Sequence, residues 1–243
     1  QEKLTVMTYN IHHGEGIDTV FDLDRIGDLI KDNDVDLAGF QEVDKGIKRS
    51  KNIDTPKRIG EYTEMYSAFE KNAEIMGGDY GNAILSKYKI LKTANHHFTM
   101  PNGGEQRGLL QTLISVAGDT ILFMNTHLNH IGTDDERMLN LSEIEEVLKN
   151  YKGLPFILVG DFNANPDNKM HQAMSENFID IWKYLNADKE GYTFPSDKPD
   201  RRIDYIYISK EGLKRFKPIS IKVLKSEASD HLPLIAEFEI TTE

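Results

Sequence analysis

Short apolar runs that end in polar residues recur along this chain and limit the folds it can adopt. The clearest case is FILVGDFNANPD at 156–167, where five apolar or small residues lead directly to Asp161 and then to Asn163. Such a run is typical of an inner strand that is buried on both faces. Taken alone, the polar residues after it indicate only a turn closed by Asx side chains. The same pattern at several other strands favours a functional site.

Strand patterns outnumber helical patterns and do not alternate strictly with them. Segments 4–11 and 35–43 are predicted strands, whereas 22–32 has the apolar spacing of an amphipathic helix. A capping box from Thr133 to Glu136 predicts the start of another helix. The predicted buried face of that helix carries Met138, Leu141, Ile144 and Leu148. Roughly ten strands and a few helices indicate an α+β fold, in which two packed sheets are flanked by helices.

Composition limits the domain count and the class of protein. The chain has 243 residues, of which 39% are hydrophobic, so we expect one globular domain over 1–243. No apolar stretch approaches the roughly 18–20 residues that span a membrane. The net charge of −11 disfavours nucleic acid as a partner, because affinity for nucleic acid comes mainly from Lys and Arg on phosphates. A local basic groove is still compatible with this charge. The absence of Cys excludes disulfides, thiol catalysis and zinc–thiolate sites.

The start of the chain bears on its location. It begins at Gln1 rather than Met, which favours loss of an N-terminal segment. Cleavage of a secretory signal and trimming by other means both explain this start. A secreted or periplasmic location is therefore our first expectation, and a cytoplasmic location stays open. A monomer is the default oligomeric state.

Polar residues of a few types lie at the boundaries of at least five predicted strands. Some follow the last apolar residue of a strand, and others lie at or just before the first residue of one. They are Asn10, Glu42, His127, Asp161 with Asn163, Asp204, and Asp230 with His231. Each has an ordinary explanation by itself, as a turn residue, a solvated carboxylate or a core histidine. Their joint occurrence in this order favours one shared site.

Seven segments together resemble the endonuclease/exonuclease/phosphatase superfamily, which includes pancreatic deoxyribonuclease, abasic-site exonucleases, neutral sphingomyelinases and inositol-polyphosphate phosphatases. The segments are MTYNI, FQEVD, YGNAILS, NTHL, VGDFNANPD, RIDYIYIS and SDHLPLIAEF, and they run from residue 7 to residue 238. GDFN followed by SDH is the most specific pair. The resemblance implies a deoxyribonuclease-like four-layer α/β/β/α sandwich of two mainly antiparallel sheets, with the site at one end. It also implies metal-dependent hydrolysis of a phosphoester.

The residue types suit a magnesium-dependent reaction. Hydrolysis of a phosphoester requires an aligned water and neutralisation of charge on the phosphoryl oxygens. Mg2+ prefers oxygen ligands and retains several waters, so one or two carboxylates can hold it. Glu42 is the first candidate ligand, with Asn10 and Asp230 as further candidates. Mn2+ is the alternative cofactor, and zinc would favour a histidine-rich ligand set, which is a weaker match.

The resemblance also implies roles for the remaining residues of the set. Asp161 would orient and deprotonate the attacking water, with Asn163 fixing the water or the phosphate. His231, held by Asp204, would act as a charged donor to the phosphoryl oxygens. A His–Asp pair raises the imidazole pKa and fixes the tautomer, which suits that role.

His127 matches the histidine of the deoxyribonuclease and sphingomyelinase branches, where the resemblance implies a general acid. The abasic-site branch has Tyr at that place, so the match favours the branches with His. In the deoxyribonuclease pattern a carboxylate supports this histidine. Asp79 and Glu105 are the candidates for that carboxylate here.

Four further residues are candidate substrate contacts. Asn82 precedes an apolar strand, Arg107 lies in the glycine-rich GGEQRG, and Arg202 precedes the RIDYIYIS strand. His12, with His13 beside it, follows Asn10 closely enough to line the pocket. A plain turn or a solvated charge is an equally ordinary explanation for each. A second pair, HH at 96–97, is expected at the surface.

The leading hypothesis is a phosphodiesterase or phosphatase that acts on small or lipid-linked phosphoesters. The alternative within catalysis is an endonuclease or an abasic-site DNA repair enzyme, which would require a basic groove and loops that clamp the duplex. A catalytically silent binding protein on the same fold is the second alternative, because a fold does not fix a function. The sequence does not specify the leaving group.

Overall fold

A computed structural model describes residues 2–241, so Gln1, on which the expectation of a removed segment rests, lies outside the described residues. The strands are β1 (Glu2–Asn10), β2 (Leu37–Lys45), β3 (Tyr66–Ile75), β4 (Gly78–Ser86), β5 (Ile90–His97), β6 (Gly108–Val116), β7 (Asp119–His127), β8 (Phe156–Asp161), β9 (Phe178–Asp180), β10 (Asp204–Ser209), β11 (Phe216–Val223) and β12 (Leu234–Ile240). The α-helices are α1 (Leu23–Asp32), α2 (Thr55–Thr63), α3 (Asp134–Leu148), α4 (Lys169–Met174) and α5 (Ile181–Leu185).

The strands form two six-stranded sheets, with the orders β11-β12-β1-β2-β4-β3 and β5-β6-β7-β8-β10-β9. Each sheet has one parallel pair at its centre, β1 with β2 and β7 with β8, and its other pairs are antiparallel. The central strands β1 and β2 pack against β7 and β8 of the other sheet. The prediction of two packed, mainly antiparallel sheets is confirmed.

The apolar side chains explain the layering. Alternate residues of a strand point to opposite faces, so Phe123 and Ile157 lie between the sheets, whereas Leu122 and Leu158 face the outer helices. Helices α3 and α4 cover that second sheet, and α1 and α2 cover the first through a separate apolar cluster. Three apolar interfaces therefore hold four layers together, as the resemblance implied. No helix within residues 2–241 is both long and apolar enough to cross a membrane.

The buried face of α3 differs from the prediction. Met138 is 38% exposed, and Leu148 is only partly buried. Leu141 and Ile144 are buried as predicted, and the other buried residues of the helix are Glu136, Arg137, Asn140 and Val147. Apolar periodicity missed this face because polar residues take part in it. Thr133 does cap the helix by accepting from the Glu136 backbone N–H at 3.3 Å, but the Glu136 carboxylate accepts from Asn129 at 3.0 Å.

Candidate active site

Asn10 at the end of β1, Glu42 within β2 and Asp161 at the end of β8 come together, although β2 continues to Lys45 rather than ending at Glu42 as predicted. The side-chain amide of Asn10 donates to Glu42 Oε1 at 3.0 Å and to Asp161 Oδ2 at 3.1 Å. Asn10 therefore links a carboxylate of the first sheet to one of the second. Glu42 reaches this position from an irregularity between Phe40 and Val43 in the pairing of β2 with β4, and its own φ is 54°. Irregularities of this kind redirect side chains at the edges of sheets and beside sites.

Asp161, Asp204 and His231 form a buried cluster next to this link. Asp204 lies directly opposite Asp161 in the antiparallel pairing of β10 with β8. Nδ1 of His231 lies 2.9 Å from Asp204 Oδ2, and Nε2 lies 3.6 Å from Asp161 Oδ2. The hydroxyl of Ser229 holds the loop before His231 in place by donating to the backbone carbonyl of Asn10 at 2.7 Å. The predicted contact between Asp204 and His231 is present in the structure.

The surroundings of this cluster set the charge of His231. Burial by itself lowers the pKa of the imidazole, but the carboxylates of Asp204 and Asp161 outweigh it and raise the pKa of His231 to about 10. Burial also raises the pKa of the Asp161 carboxyl above its usual range, and the positive charge of His231 opposes that rise. A carboxylate beside an imidazolium is therefore the state of this pair that we expect near neutral pH.

His127 is in a different environment from the one expected. Its Nδ1 lies 2.9 Å from Nη1 of Arg107, and guanidinium nitrogens only donate, so Nδ1 must be the unprotonated atom. The ring proton then lies on Nε2, which is 3.4 Å from Asp161 Oδ2. The amide nitrogen of Asn163 is 3.1 Å from Nε2 but has no lone pair to offer it. Burial, and then the charge of Arg107, hold the pKa of His127 well below its usual range.

Neither carboxylate proposed as the partner of His127 contacts it among the described residues. Asp79 pairs with Lys71 at 3.0 Å, and Glu105 pairs with Arg107 at 2.7 Å. That prediction is wrong because Arg107, from the loop before β6, already occupies the Nδ1 side of the ring. Glu105 reaches His127 only through this arginine.

Asn163 shows that the turn and the site are compatible. Its backbone N–H donates to Asp161 Oδ1 at 2.9 Å, which is the Asx turn expected from the sequence, and its φ of 48° is left-handed. Its side-chain amide donates to the Leu128 carbonyl at 2.9 Å, and its backbone carbonyl accepts from Arg137 at 2.6 Å. These bonds fix the loop after β8. The Asx turn, which was the ordinary explanation for Asp161, therefore also holds its carboxylate in place at the site.

The other candidate contacts divide into two groups. Asn82 is buried and donates to the Gly108 carbonyl at 3.2 Å, which places it beside Arg107. The backbone N–H of His12 donates to Asn10 Oδ1 at 3.1 Å, so His12 lies at the site. Asp230 accepts from Ser229 at 3.3 Å, in the loop that carries His231.

Arg202 does not join these residues. Its Nη1 donates to Asp180 Oδ2 at 2.8 Å, and its guanidinium lies 4.6 Å from the Tyr205 ring centroid. The side chain is 4% exposed, so we correct its assignment from substrate contact to structural ion pair. The pairing was not visible in the sequence, because Asp180 lies 22 residues earlier in the chain.

His13 is the site residue to which the sequence reading gave least weight. It is 9% exposed, and its ring centroid lies 4.4 Å from that of His12. One ring nitrogen of each histidine and one oxygen of Glu42 lie within 4.8 Å of one another. The doubled histidine directly after the strand that ends in Asn10 was the available signal.

A model of the Endonuclease/Exonuclease/phosphatase family matches residues 7–231. The chain belongs to this family. Its sequence is 27% identical to the uncharacterized protein YbhP of Escherichia coli, over 99% of this chain and 98% of YbhP. Family membership is the expectation that the seven segments raised, and it is confirmed.

Solved structures of the endonuclease/exonuclease/phosphatase family share the fold. A member from Beutenbergia cavernae superposes with a TM-score of 0.80 at 23% identity, covering 99% of this chain and 72% of that chain. A mannosyl-6-phosphatase from Bacteroides thetaiotaomicron superposes with a TM-score of 0.77 at 22% identity, covering 98% of this chain and all of that one (100%). At these identities the superpositions bear on the fold alone.

The family is typically dependent on a divalent metal, and the residues at Glu42 fit one. Glu42 is partly exposed, and its Oε1 accepts one hydrogen bond from Asn10, which leaves lone pairs for an ion. Asp230 is near enough to His13 to act on its pKa. By contrast, Nδ1 of His231 is already engaged by Asp204, so the Asp161, Asp204 and His231 cluster suits proton handling better than metal binding.

Proposed function

We propose that this chain is a divalent-metal-dependent hydrolase of phosphoester bonds, a phosphodiesterase or phosphatase that acts on small or lipid-linked phosphoesters. One observation supports it above the others: Asn10 joins Glu42 to Asp161, and Asp161 faces His231 held by Asp204. Burying a carboxylate beside an imidazolium costs free energy, and such buried charged pairs are typical of functional sites. A binding protein has no need for this pair.

The residues divide the work of hydrolysis among them. Asp161 accepts a proton from water as the water oxygen bonds to phosphorus, and the bond from phosphorus to the leaving oxygen breaks as that oxygen takes a proton from solvent water. His231 donates from Nε2 to a nonbridging oxygen as negative charge develops there. Both oxygens of Asp161 already accept hydrogen bonds, from Asn163 and Asn10, which orient the carboxylate. A metal held by Glu42, with Asn10 and Asp230 nearby, would supply Lewis-acid stabilisation of the phosphoryl and leaving oxygens.

His127 takes a different part in this mechanism from the one its family resemblance implied. A general acid has to carry the proton that it gives away, and Arg107 with burial keeps this imidazole neutral. We assign His127 the role of a neutral donor, with its Nε2–H directed at a phosphoryl oxygen. A neutral imidazole in such a role polarises its partner without adding a net charge to the site.

The substrate class rests on charge and on likeness. The net charge of −11 disfavours a long polyanion and is no obstacle to a small ester neutralised by its metal. The fold shared with a mannosyl-6-phosphatase makes sugar phosphates the first small substrates to test.

A substrate panel tests the proposal. The purified protein would be incubated with p-nitrophenyl phosphate, its bis ester, sugar phosphates, inositol phosphates, sphingomyelin, duplex DNA and abasic DNA, with Mg2+ or Mn2+ and then with EDTA. We expect metal-dependent release from a small or lipid-linked ester that stops with EDTA. Preferential cleavage of DNA would favour the nuclease alternative. Absence of release from every substrate with either metal would favour the silent binding protein.

A further inference from the structure

The paired histidines after β1 carry an inference about the metal. We propose that His12, His13 and Glu42 together form a metal site with two nitrogen ligands and one carboxylate, selective for a first-row transition metal over Mg2+. The inference deepens the proposed function by naming the class of ion, and it replaces the oxygen-only ligand set expected from the sequence. Because it concerns binding, it can be tested without any substrate.

The hydrogen bond of His12 prepares it as a ligand. Its Nδ1 lies 3.1 Å from the backbone carbonyl of Glu15, and a carbonyl only accepts, so Nδ1 carries the proton. The lone pair is then on Nε2. Histidines that bind metals usually donate their other ring N–H to a carbonyl or a carboxylate in this way, which fixes the tautomer and the ring orientation.

The unpartnered nitrogen of His13 points to a missing ligand. The side chain is 9% exposed, and no group within residues 2–241 makes a hydrogen bond to its Nδ1. A buried polar atom without a partner is costly, and most such atoms in native proteins are satisfied by protein, water or an ion. A metal shared with Glu42 would satisfy this imidazole.

The backbone supports the same interpretation. His12, His13 and Glu42 have φ values of 43°, 48° and 54°, in the left-handed region that residues other than Gly seldom adopt. Strain of this kind persists where the surrounding structure enforces it, often at ligand sites. Here it affects the three residues whose donor atoms lie within 4.8 Å of one another. Metal–nitrogen bonds of about 2.0–2.1 Å place cis ligands about 3 Å apart, so modest side-chain rotation completes the set.

The chemistry of the donors determines the ion. Imidazole suits zinc, copper, iron and nickel, whereas Mg2+ prefers an octahedron of oxygens and keeps its waters. Arg49 places a positive charge near His13, but it is paired with Asp44 at 2.8 Å, and Asp230 adds a negative charge near His13.

The chain supplies its own control for the test. The double variant His12→Asn/His13→Asn removes both imidazoles but suits the backbone, since Asn tolerates left-handed φ. It also leaves oxygen donors of the kind that Mg2+ accepts. The matched control is His96→Asn/His97→Asn, at a pair of histidines bonded to Glu143 and to the Lys71 carbonyl at the edge of the second sheet.

Metal-free protein would be titrated with Co2+, Zn2+, Mn2+ and Mg2+ by calorimetry, with the visible spectrum of Co2+ reporting nitrogen ligation. We expect one site that binds Co2+ and Zn2+ at least about tenfold more tightly than Mg2+. Loss of His12 and His13 should weaken Co2+ and Zn2+ binding by at least about tenfold and leave Mg2+ binding unchanged. The His96 and His97 control should bind as the parent does.

Two results would overturn the inference: equal affinity of the parent for Co2+ and Mg2+, or a double variant that keeps the parent's Co2+ affinity and spectrum. Circular dichroism of each variant shows whether it has folded, and if the double variant does not fold, single His12→Asn and His13→Asn variants are measured in its place. A parent that hydrolyses esters with Mg2+ but has no preference for transition metals would leave the proposed function intact and refute only this inference.

Discussion

Replacing Asp204 by Asn tests how the cluster keeps His231 charged. The change is nearly isosteric and keeps a polar partner at Nδ1 of His231, 2.9 Å away in the parent, but it removes the negative charge. Burial then acts on the imidazole with less opposition. The pKa of His231, which is about 10 in the parent, should fall toward or below its ordinary value of about 6.5.

The size of the effect follows from the loss of a charged donor. Near pH 8 the parent imidazole is almost fully protonated, and that of Asp204→Asn is mostly neutral. Loss of one donor to a developing oxyanion typically lowers kcat by about 10²–10³, or about 2.7–4 kcal/mol of transition-state stabilisation. A weaker neutral hydrogen bond remains, so the lower end of this range is expected.

Two measurements check this prediction. On the best substrate, kcat of the parent should stay high as the pH is raised toward about 9, whereas kcat of Asp204→Asn should already fall near neutral pH. Proton NMR of the His231 ring, assigned by comparison with His231→Gln, should show no titration between about pH 6 and 9 in the parent and an acid-shifted titration in the variant. A parent ring that titrates near pH 6.5, or a variant with unchanged kcat, would refute the reasoning.

Three further predictions concern neighbouring residues. Arg107→Gln keeps a donor to Nδ1 of His127 but removes a charge, so the pKa of His127 should rise while burial keeps it below its ordinary value; nitrogen NMR measures this, and an unchanged pKa would contradict it. Arg202→Gln removes the charged partner of Asp180 and should destabilise the fold by about 3–5 kcal/mol in urea unfolding, with kcat of the folded fraction unchanged; a selective loss of kcat would restore Arg202 to the site. Because the pKa of His231 is higher in the folded chain, its charge stabilises the fold fully below about pH 6.5, and this contribution disappears as the pH rises through about 10. Urea unfolding of the parent and of His231→Gln should therefore differ most at the acid end of that window, and a constant difference would contradict the linkage.

The sequence was sufficient where a residue's role depends on its own strand. Asn10 and Asp161 each end a buried strand, and Glu42 follows the apolar first half of β2, so the apolar run before each residue predicts its location. The register of the central parallel pairs then brings their ends together, with His127 opposite Asp161 and Asn10 opposite Gln41. Two-sheet packing followed from the same runs.

The sequence was insufficient where a role depends on a partner from elsewhere in the chain. Arg107 meets His127 because a loop before β6 folds over the end of β7, and no periodicity encodes that contact. The pairing of Arg202 with Asp180 has the same origin. Met138 was predicted on the buried face because apolar spacing was the only guide. The helix buries Arg137 and Asn140 instead, and apolar spacing does not detect buried polar residues.

We propose that Asp161 activates water in a metal-dependent hydrolysis. The most direct test is kcat of Asp161→Asn on the best phosphoester of the panel, at saturating metal, beside the parent. We expect a loss of about 10³-fold or more, with thermal stability retained, because the isosteric amide keeps the shape of the side chain but accepts no proton. Unchanged kcat in a folded Asp161→Asn protein would show that Asp161 does not activate the water.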